Sequence, residues 1–183
     1  MRDYSKKEWK RIFEDSIADE YSDAAYYNAM AKIAPDYEAR DIILAIAADE
    51  ERHAKELTAA YESLFGCRYK KPSLADPIVR KYKQALEKAF NEEMNAYRKY
   101  KEYYLCSGNQ RLRDLWFDLM HDENRHASYM LYLMNKYCCG MMDDGKKKPQ
   151  EDHKYPGCGE PDYGCGPGYS QCGAGTVNYS FPE

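Results

Sequence analysis

The sequence predicts an all-α protein: a four-helix bundle made from two copies of one helical hairpin, followed by an irregular C-terminal tail. Three observations carry that reading. The 183 residues divide near position 139 into a Gly-poor stretch and a Gly/Pro-rich one. The first stretch repeats itself at an offset of 73 residues. Its apolar residues recur every three or four positions, and strand alternation is absent.

The breakers place the helices. Residues 1–139 hold two Gly and three Pro: Pro35, Gly66, Pro72, Pro77 and Gly108. Each stands where a helix must stop. Four helices follow, over 5–33, 37–65, 77–106 and 110–137. The repeat then groups them in pairs. Asp49-Glu-Glu-Arg-His-Ala recurs as Asp122-Glu-Asn-Arg-His-Ala, and Arg40-Asp41 as Arg113-Asp114. In the first and third helices Glu20 maps onto Glu93, Tyr27 onto Tyr100 and Ile17 onto Phe90. Each pair is one helical hairpin, duplicated.

Helical spacing defines a core seam on each helix. The first presents Phe13, Ile17, Glu20, Ala24, Tyr27 and Ala31. The second presents Ala39, Ile43, Ile46, Glu50, His53, Leu57, Ala60 and Leu64. The third presents Leu86, Phe90, Glu93, Tyr97, Tyr100 and Tyr104. The fourth presents Leu112, Trp116, Leu119, Glu123, His126, Met130, Leu133 and Tyr137. Glu20 and Glu50 are equidistant from the turn at Pro35, and Glu93 and Glu123 from the turn at Gly108. Each antiparallel hairpin therefore brings two Glu to one level near mid-helix.

Four Glu and two His thus lie on the apolar seam at similar height. Buried carboxylates are costly unless paired or metal-bound, and four together repel. Two divalent cations would neutralise them, with one neutral imidazole for each. Glu-x-x-His places carboxylate and imidazole on one helix face. The plain alternative is a buried Glu–His ion-pair network or a solvated acidic face. The duplicated motif, with both further Glu in register, favours metal.

These residues are similar to those of the ferritin-like superfamily, and most to the rubrerythrin and symerythrin group. The resemblance covers about residues 10–137. It rests on Glu20 with Tyr27, Glu50-x-x-His53, Glu93 with Tyr100, and Glu123-x-x-His126. It implies a ferritin-like bundle holding two iron ions, with manganese as the other candidate. Glu50 and Glu123 would bridge, Glu20 and Glu93 would be terminal ligands, and His53 and His126 would bind one ion each. Asp-Glu-x-Arg-His, present twice, is also similar to the motif of di-iron monooxygenases. By that likeness Asp49 orients His126 and Asp122 orients His53, with Arg52 and Arg125 pairing the Asp residues. Tyr27 and Tyr100 are either donors to the terminal carboxylates or plain aromatic core.

Two departures qualify the likeness. Rubrerythrins carry a further Glu three residues after the ligand of the third helix, where this chain has Ala96. The related position on the first helix is Asp23, a candidate seventh ligand. No Cys-x-x-C pair occurs among the seven Cys, so a rubredoxin-type iron site is not expected.

The resemblance implies reduction of hydrogen peroxide or dioxygen with electrons from an external donor protein. The alternatives are a di-manganese catalase-like enzyme and a ferroxidase. An alternative of another class is a structural, spore-coat-type protein. The tail 140–183 motivates it, with Cys158, Cys165 and Cys172 at seven-residue spacing and Tyr155, Tyr163, Tyr169 and Tyr179 among Gly and Pro. Its composition predicts an extended or disordered segment.

The net charge of −4 argues against a nucleic-acid partner. No apolar run is long enough for a membrane span, and the N-terminus lacks a secretory pattern, so the cytoplasm is the expected compartment, with the spore coat as the other. Assembly follows from one length. A ferritin-like path runs the second and third helices parallel. From Phe65 to Pro77 the link reaches roughly 40 Å, against about 43 Å for a 29-residue helix. Either the helix ends shorten, or hairpins are exchanged in a domain-swapped homodimer. Up-down-up-down topology is a third solution.

Overall fold

The computed structural model describes residues 4–139. The sequence reading of the tail lies outside them. Four helices form: α1 Lys6–Ala31, α2 Tyr37–Phe65, α3 Tyr82–Cys106 and α4 Gln110–Met134, with a π-helical turn over Asn135–Cys139. No strand occurs among the described residues.

Local chemistry sets most boundaries. Ser5 starts α1 with a capping box: its hydroxyl accepts from the Glu8 amide, and Glu8 accepts from the Ser5 amide. Asp36 caps α2 through the Ala39 amide, and Asn109 caps α4 through the amides of Arg111 and Leu112. Gly66 closes α2 at φ 65°, the left-handed region where a side chain is strained. The third helix starts at Tyr82, five residues later than the sequence predicts. Lys81 offers it no side-chain cap, and 77–81 belong to the link.

Helices α1 and α2 pack as one hairpin and α3 and α4 as the other. Contacts between hairpins give the direction of each helix. Tyr27 meets Glu93 while Tyr100 meets Glu20, so α1 and α3 are antiparallel. Arg52 meets Asp122 while Arg125 meets Asp49, so α2 and α4 are antiparallel as well. Hence α2 and α3 run parallel, and the link between them travels the length of the bundle.

The link does so within one chain. With α3 starting at Tyr82 there are 17 steps from Phe65, a reach of roughly 56–61 Å. It follows α1. The Tyr69 hydroxyl reaches the Glu14 carbonyl at 3.5 Å, Lys71 lies 3.6 Å over the Tyr21 ring, and Val79 packs at the far end.

Two apolar clusters flank the polar mid-section. One contains Trp9, Phe13, Leu57, Tyr100, Trp116 and Leu119; the other contains Met30, Ile43, Ile46, Leu86, Met130 and Leu133. Each large side chain buried there contributes about 1.5–3 kcal/mol. The seams of α1 and α2 are buried at every predicted position. On α3 the buried face turns slightly. Ala85 and Ala89 are buried, whereas Phe90, Tyr97 and Tyr104 are half-buried. On α4 only Tyr137 falls short, lying in the terminal turn.

Candidate metal centre

The hairpins bring the six predicted ligands together at mid-bundle, all buried. Their atoms form two sets. Glu20, Glu50, His53 and Glu123 are one; Glu93, Glu50, His126 and Glu123 are the other. Within each set the ligand atoms lie within 4.8 Å of one another. Glu50 and Glu123 belong to both. The two imidazole rings are 5.9 Å apart.

Each His presents Nδ1 to the cluster. His53 Nδ1 lies 3.4 Å from Glu20, 3.2 Å from Glu50 and 3.6 Å from Glu123. His126 Nδ1 lies 2.9 Å from Glu50, 3.5 Å from Glu93 and 3.8 Å from Glu123. The opposite nitrogens face the other hairpin. His53 Nε2 is 3.1 Å from Asp122, and His126 Nε2 is 3.3 Å from Asp49. A carboxylate on Nε2–H sets the tautomer that leaves Nδ1 free to ligate. Arg52 donates to Asp49 at 3.2 Å and Asp122 at 2.5 Å. Arg125 donates to Asp49 at 2.8 Å and Asp122 at 2.7 Å. Both arginines therefore tie both aspartates, and this half-exposed lattice closes the α2/α4 side.

The terminal carboxylates are held crosswise. The Tyr27 hydroxyl donates to Glu93 and the Tyr100 hydroxyl to Glu20. Each tyrosine thus serves the carboxylate of the other hairpin. Both phenols are pushed well above their usual range, chiefly by burial and then by these carboxylates.

The inward-facing atoms fit a metal rather than a closed ion-pair network. Glu20 Oε2, Glu50 Oε1, Glu93 Oε2, Glu123 Oε1 and His126 Nδ1 are buried without a hydrogen-bond partner. His126 Nδ1 and Glu50 Oε1 are only 2.9 Å apart yet misaligned for a hydrogen bond. Five orphaned atoms converging on one spot would be costly if nothing bound them. Their donor set, carboxylate oxygen plus imidazole, suits a divalent first-row metal ion.

Without metal, protons balance the charge. Burial raises all four carboxylates, and their partners then separate them. Glu20 is brought down to about 2 by His53, and Glu93 is lowered by His126. Glu50 is pushed up to about 7 by burial and the Glu20 charge, and Glu123 well above its usual range by burial and Glu50. Burial opposes the charge on His53, but Asp122, Glu20 and Glu50 raise it to about 12, and His126 is raised likewise.

The α1/α3 side is open. A cleft of ≈ 630 Å³ runs between these helices to Glu20, Glu93 and Glu123. Asp23 lines it beside Tyr26, Tyr27 and Ala96. Asp23 belongs to neither ligand set; it stands at the cleft wall, raised to about 8 by burial and by Glu50, Glu20 and Glu93. Sequence reading missed Lys99, which also lines the cleft and pairs with Asp19 at 2.9 Å. Its only signal was its place beside Tyr100. His121 is exposed and stacks on Phe117.

The rubrerythrin family profile matches residues 11–134. This chain belongs to the rubrerythrin family. The match spans all four helices and both ligand sets. A relative, the uncharacterized protein YhjR of Bacillus subtilis (strain 168), is 26% identical over 124 residues, covering 68% of this chain and 85% of its own. The rubrerythrin domain thus carries a buried Glu/His cluster fit to bind metal. Among its described residues no helix is long and apolar enough to cross a membrane.

Proposed function

We propose that this rubrerythrin-family protein is a non-haem di-iron redox protein that reduces hydrogen peroxide, or dioxygen, in the cytoplasm with electrons from a separate donor protein. The observation that carries the reading is the pair of ligand sets sharing Glu50 and Glu123. Glu50 and Glu123 would bridge the ions; Glu20 with His53, and Glu93 with His126, would complete one ion each.

A di-iron pair held there would supply, in its ferrous state, the two electrons that splitting the O–O bond of peroxide to two waters consumes. The chain's own residues do the rest. Asp122 and Asp49 orient the imidazoles, and against burial the imidazoles first and then the two arginines hold the aspartates ionised. Tyr100 and Tyr27 hold the terminal carboxylates by O–H donation. The cleft admits a small substrate from the α1/α3 side, and the small side chain of Ala96 leaves that wall wide. The salt-bridged α2/α4 side keeps the imidazoles away from bulk water.

The deciding experiment is metal analysis of protein purified without chelator, with peroxide consumption followed after anaerobic reduction. About two iron ions per chain, lost in Glu50→Ala/Glu123→Ala, are expected, with stoichiometric peroxide loss. Manganese at that stoichiometry, with oxygen evolution from peroxide, would replace this reading with a catalase-like one. Failure to bind either ion would overturn both and leave a structural role. A homodimer belongs to the same proposal; since one chain closes its own bundle, it does not require exchanged hairpins. Sedimentation giving a monomer would overturn it.

A further inference from the structure

The two halves of the duplicated core are chemically unlike. Around Tyr27 the other fully buried side chains are aliphatic, with Met30, Ile43, Ile46 and Met130, and the aromatic rings packed there, Tyr26, Tyr82, Phe90 and Tyr137, are only partly buried. The cluster around Tyr100 is aromatic. By the 73-residue repeat, Trp116 stands where the first hairpin has Ile43. The Tyr100 ring stacks on Trp116 at 5.5 Å between centroids, and Trp116 on Trp9 at 6.3 Å. Trp9 meets the edge of Tyr4 at 5.2 Å. Tyr103 bridges Trp116 and Tyr4 at 5.1 and 6.2 Å, a side branch of the same stack.

Both ends of this series have a proton acceptor. Tyr100 donates to the candidate ligand Glu20, and half-buried Tyr4 donates to Glu102. In the middle, Trp116 Nε1 is buried with no acceptor. That indole can exchange an electron while keeping its proton. Packing asks only for apolar volume, which Ile43 supplies in the other half. It does not ask for oxidisable rings in unbroken contact from a ligand to the surface.

We propose that Tyr100, Trp116, Trp9 and Tyr4 form a one-electron relay from the metal centre to the protein surface, delivering to dioxygen the electrons that a reduced metal pair lacks. The inference rests on the redox reading above. Dioxygen takes up four electrons and four protons to become two waters, and two ferrous ions hold two of those electrons. The other two pass through Tyr100, one at a time. Its electron goes to the centre and its phenolic proton to Glu20. Trp116 then re-reduces Tyr100, which recovers its proton from Glu20. The electron vacancy moves as an indole cation from Trp116 to Trp9. Tyr4 fills it, handing its proton to Glu102. A surface reductant of the ascorbate class re-reduces Tyr4, which takes that proton back. The relay is unchanged at the end, and the four protons come from solvent.

The test mixes iron-loaded, reduced protein with dioxygenated buffer without added reductant. Samples are frozen at intervals and read by EPR, with iron content and dioxygen uptake measured alongside. An organic radical is expected that ascorbate removes and that ring-deuterated tryptophan narrows. In Trp116→Phe the indole component should be lost and a tyrosyl signal remain. In Trp9→Phe, an independent variant, the indole signal should persist and ascorbate should remove it more slowly. Dioxygen uptake without an organic radical, or signals unchanged in both variants, would overturn the relay and leave the redox reading standing. Iron-loaded protein that takes up no dioxygen and consumes no peroxide would overturn the redox reading, and the relay with it.

Discussion

Tyr100 donates its hydroxyl to Glu20, a carboxylate of the other hairpin, and Tyr27 does the same to Glu93. The crossed pair ties the duplicated halves together at the height of the candidate metal centre. Since α1 and α3 contribute no Glu-x-x-His, these bonds are what hold their carboxylates in place.

Tyr100→Phe removes the donor without removing the ring. It is expected to weaken metal binding about 10–100-fold, the usual cost of losing a group that orients a ligand. The metal-free protein should lose about 1–3 kcal/mol, because a buried carboxylate loses a partner. Chelator competition and urea unfolding check the two effects, and Tyr27→Phe should behave alike.

Asp122→Asn replaces the acceptor of the His53 Nε2–H with an amide that can present either end. The tautomer is then no longer set, and Arg52 and Arg125 lose a shared anion. Metal affinity should again fall about 10–100-fold. Asp49→Asn should match it, acting through His126. Isothermal titration with ferrous or manganous ion under anaerobic conditions measures both.

Metal-free protein near pH 7 carries protons where the ions would sit. Glu50 and Glu123 are raised, and both imidazoles are held charged. A group whose folded pKa is raised stabilises below its unfolded pKa and loses that contribution as pH rises through the folded value. Glu50, moved from 4.5 to about 7, loses its contribution between those values, and Asp23, moved from 3.8 to about 8, does so over the wider span that encloses them. The melting temperature in chelator should therefore fall over that window. Binding two divalent ions should release about four protons near pH 7 and raise the melting temperature most at the alkaline end. Calorimetry in buffers of different ionisation enthalpy counts the protons.

Gly66→Ala tests the end of α2 apart from the site. A Cβ there meets nothing within 4 Å, so the cost is the left-handed backbone alone. About 1 kcal/mol of destabilisation is expected, with metal content unchanged. Thermal unfolding measures it.

Much of the centre was legible in the chain because helical periodicity is local. Glu50 and His53 share a face at i,i+3 whatever surrounds them, and the repeat supplies Glu123 and His126 by the same rule. Equidistance from Pro35 and Gly108 gave the height of Glu20 and Glu93. The pairing of Asp49 with His126 and Asp122 with His53 came from the likeness to other motifs; the two contacts measure 3.3 and 3.1 Å.

The sequence by itself thus determined the helices, the hairpin duplication and the six converging side chains, each a consequence of spacing along one helix or about one turn. The tertiary structure decided what depends on two helices at once. It made α2 and α3 parallel, since a link freed by the late start at Tyr82 can run the length of α1. It crossed Tyr27 and Tyr100 onto opposite hairpins, left Asp23 at a cleft wall, and stacked Trp9 and Trp116 beside Tyr100 but not beside Tyr27. Register between antiparallel helices is set by how side chains interlock, and no periodicity within a single strand of chain encodes that.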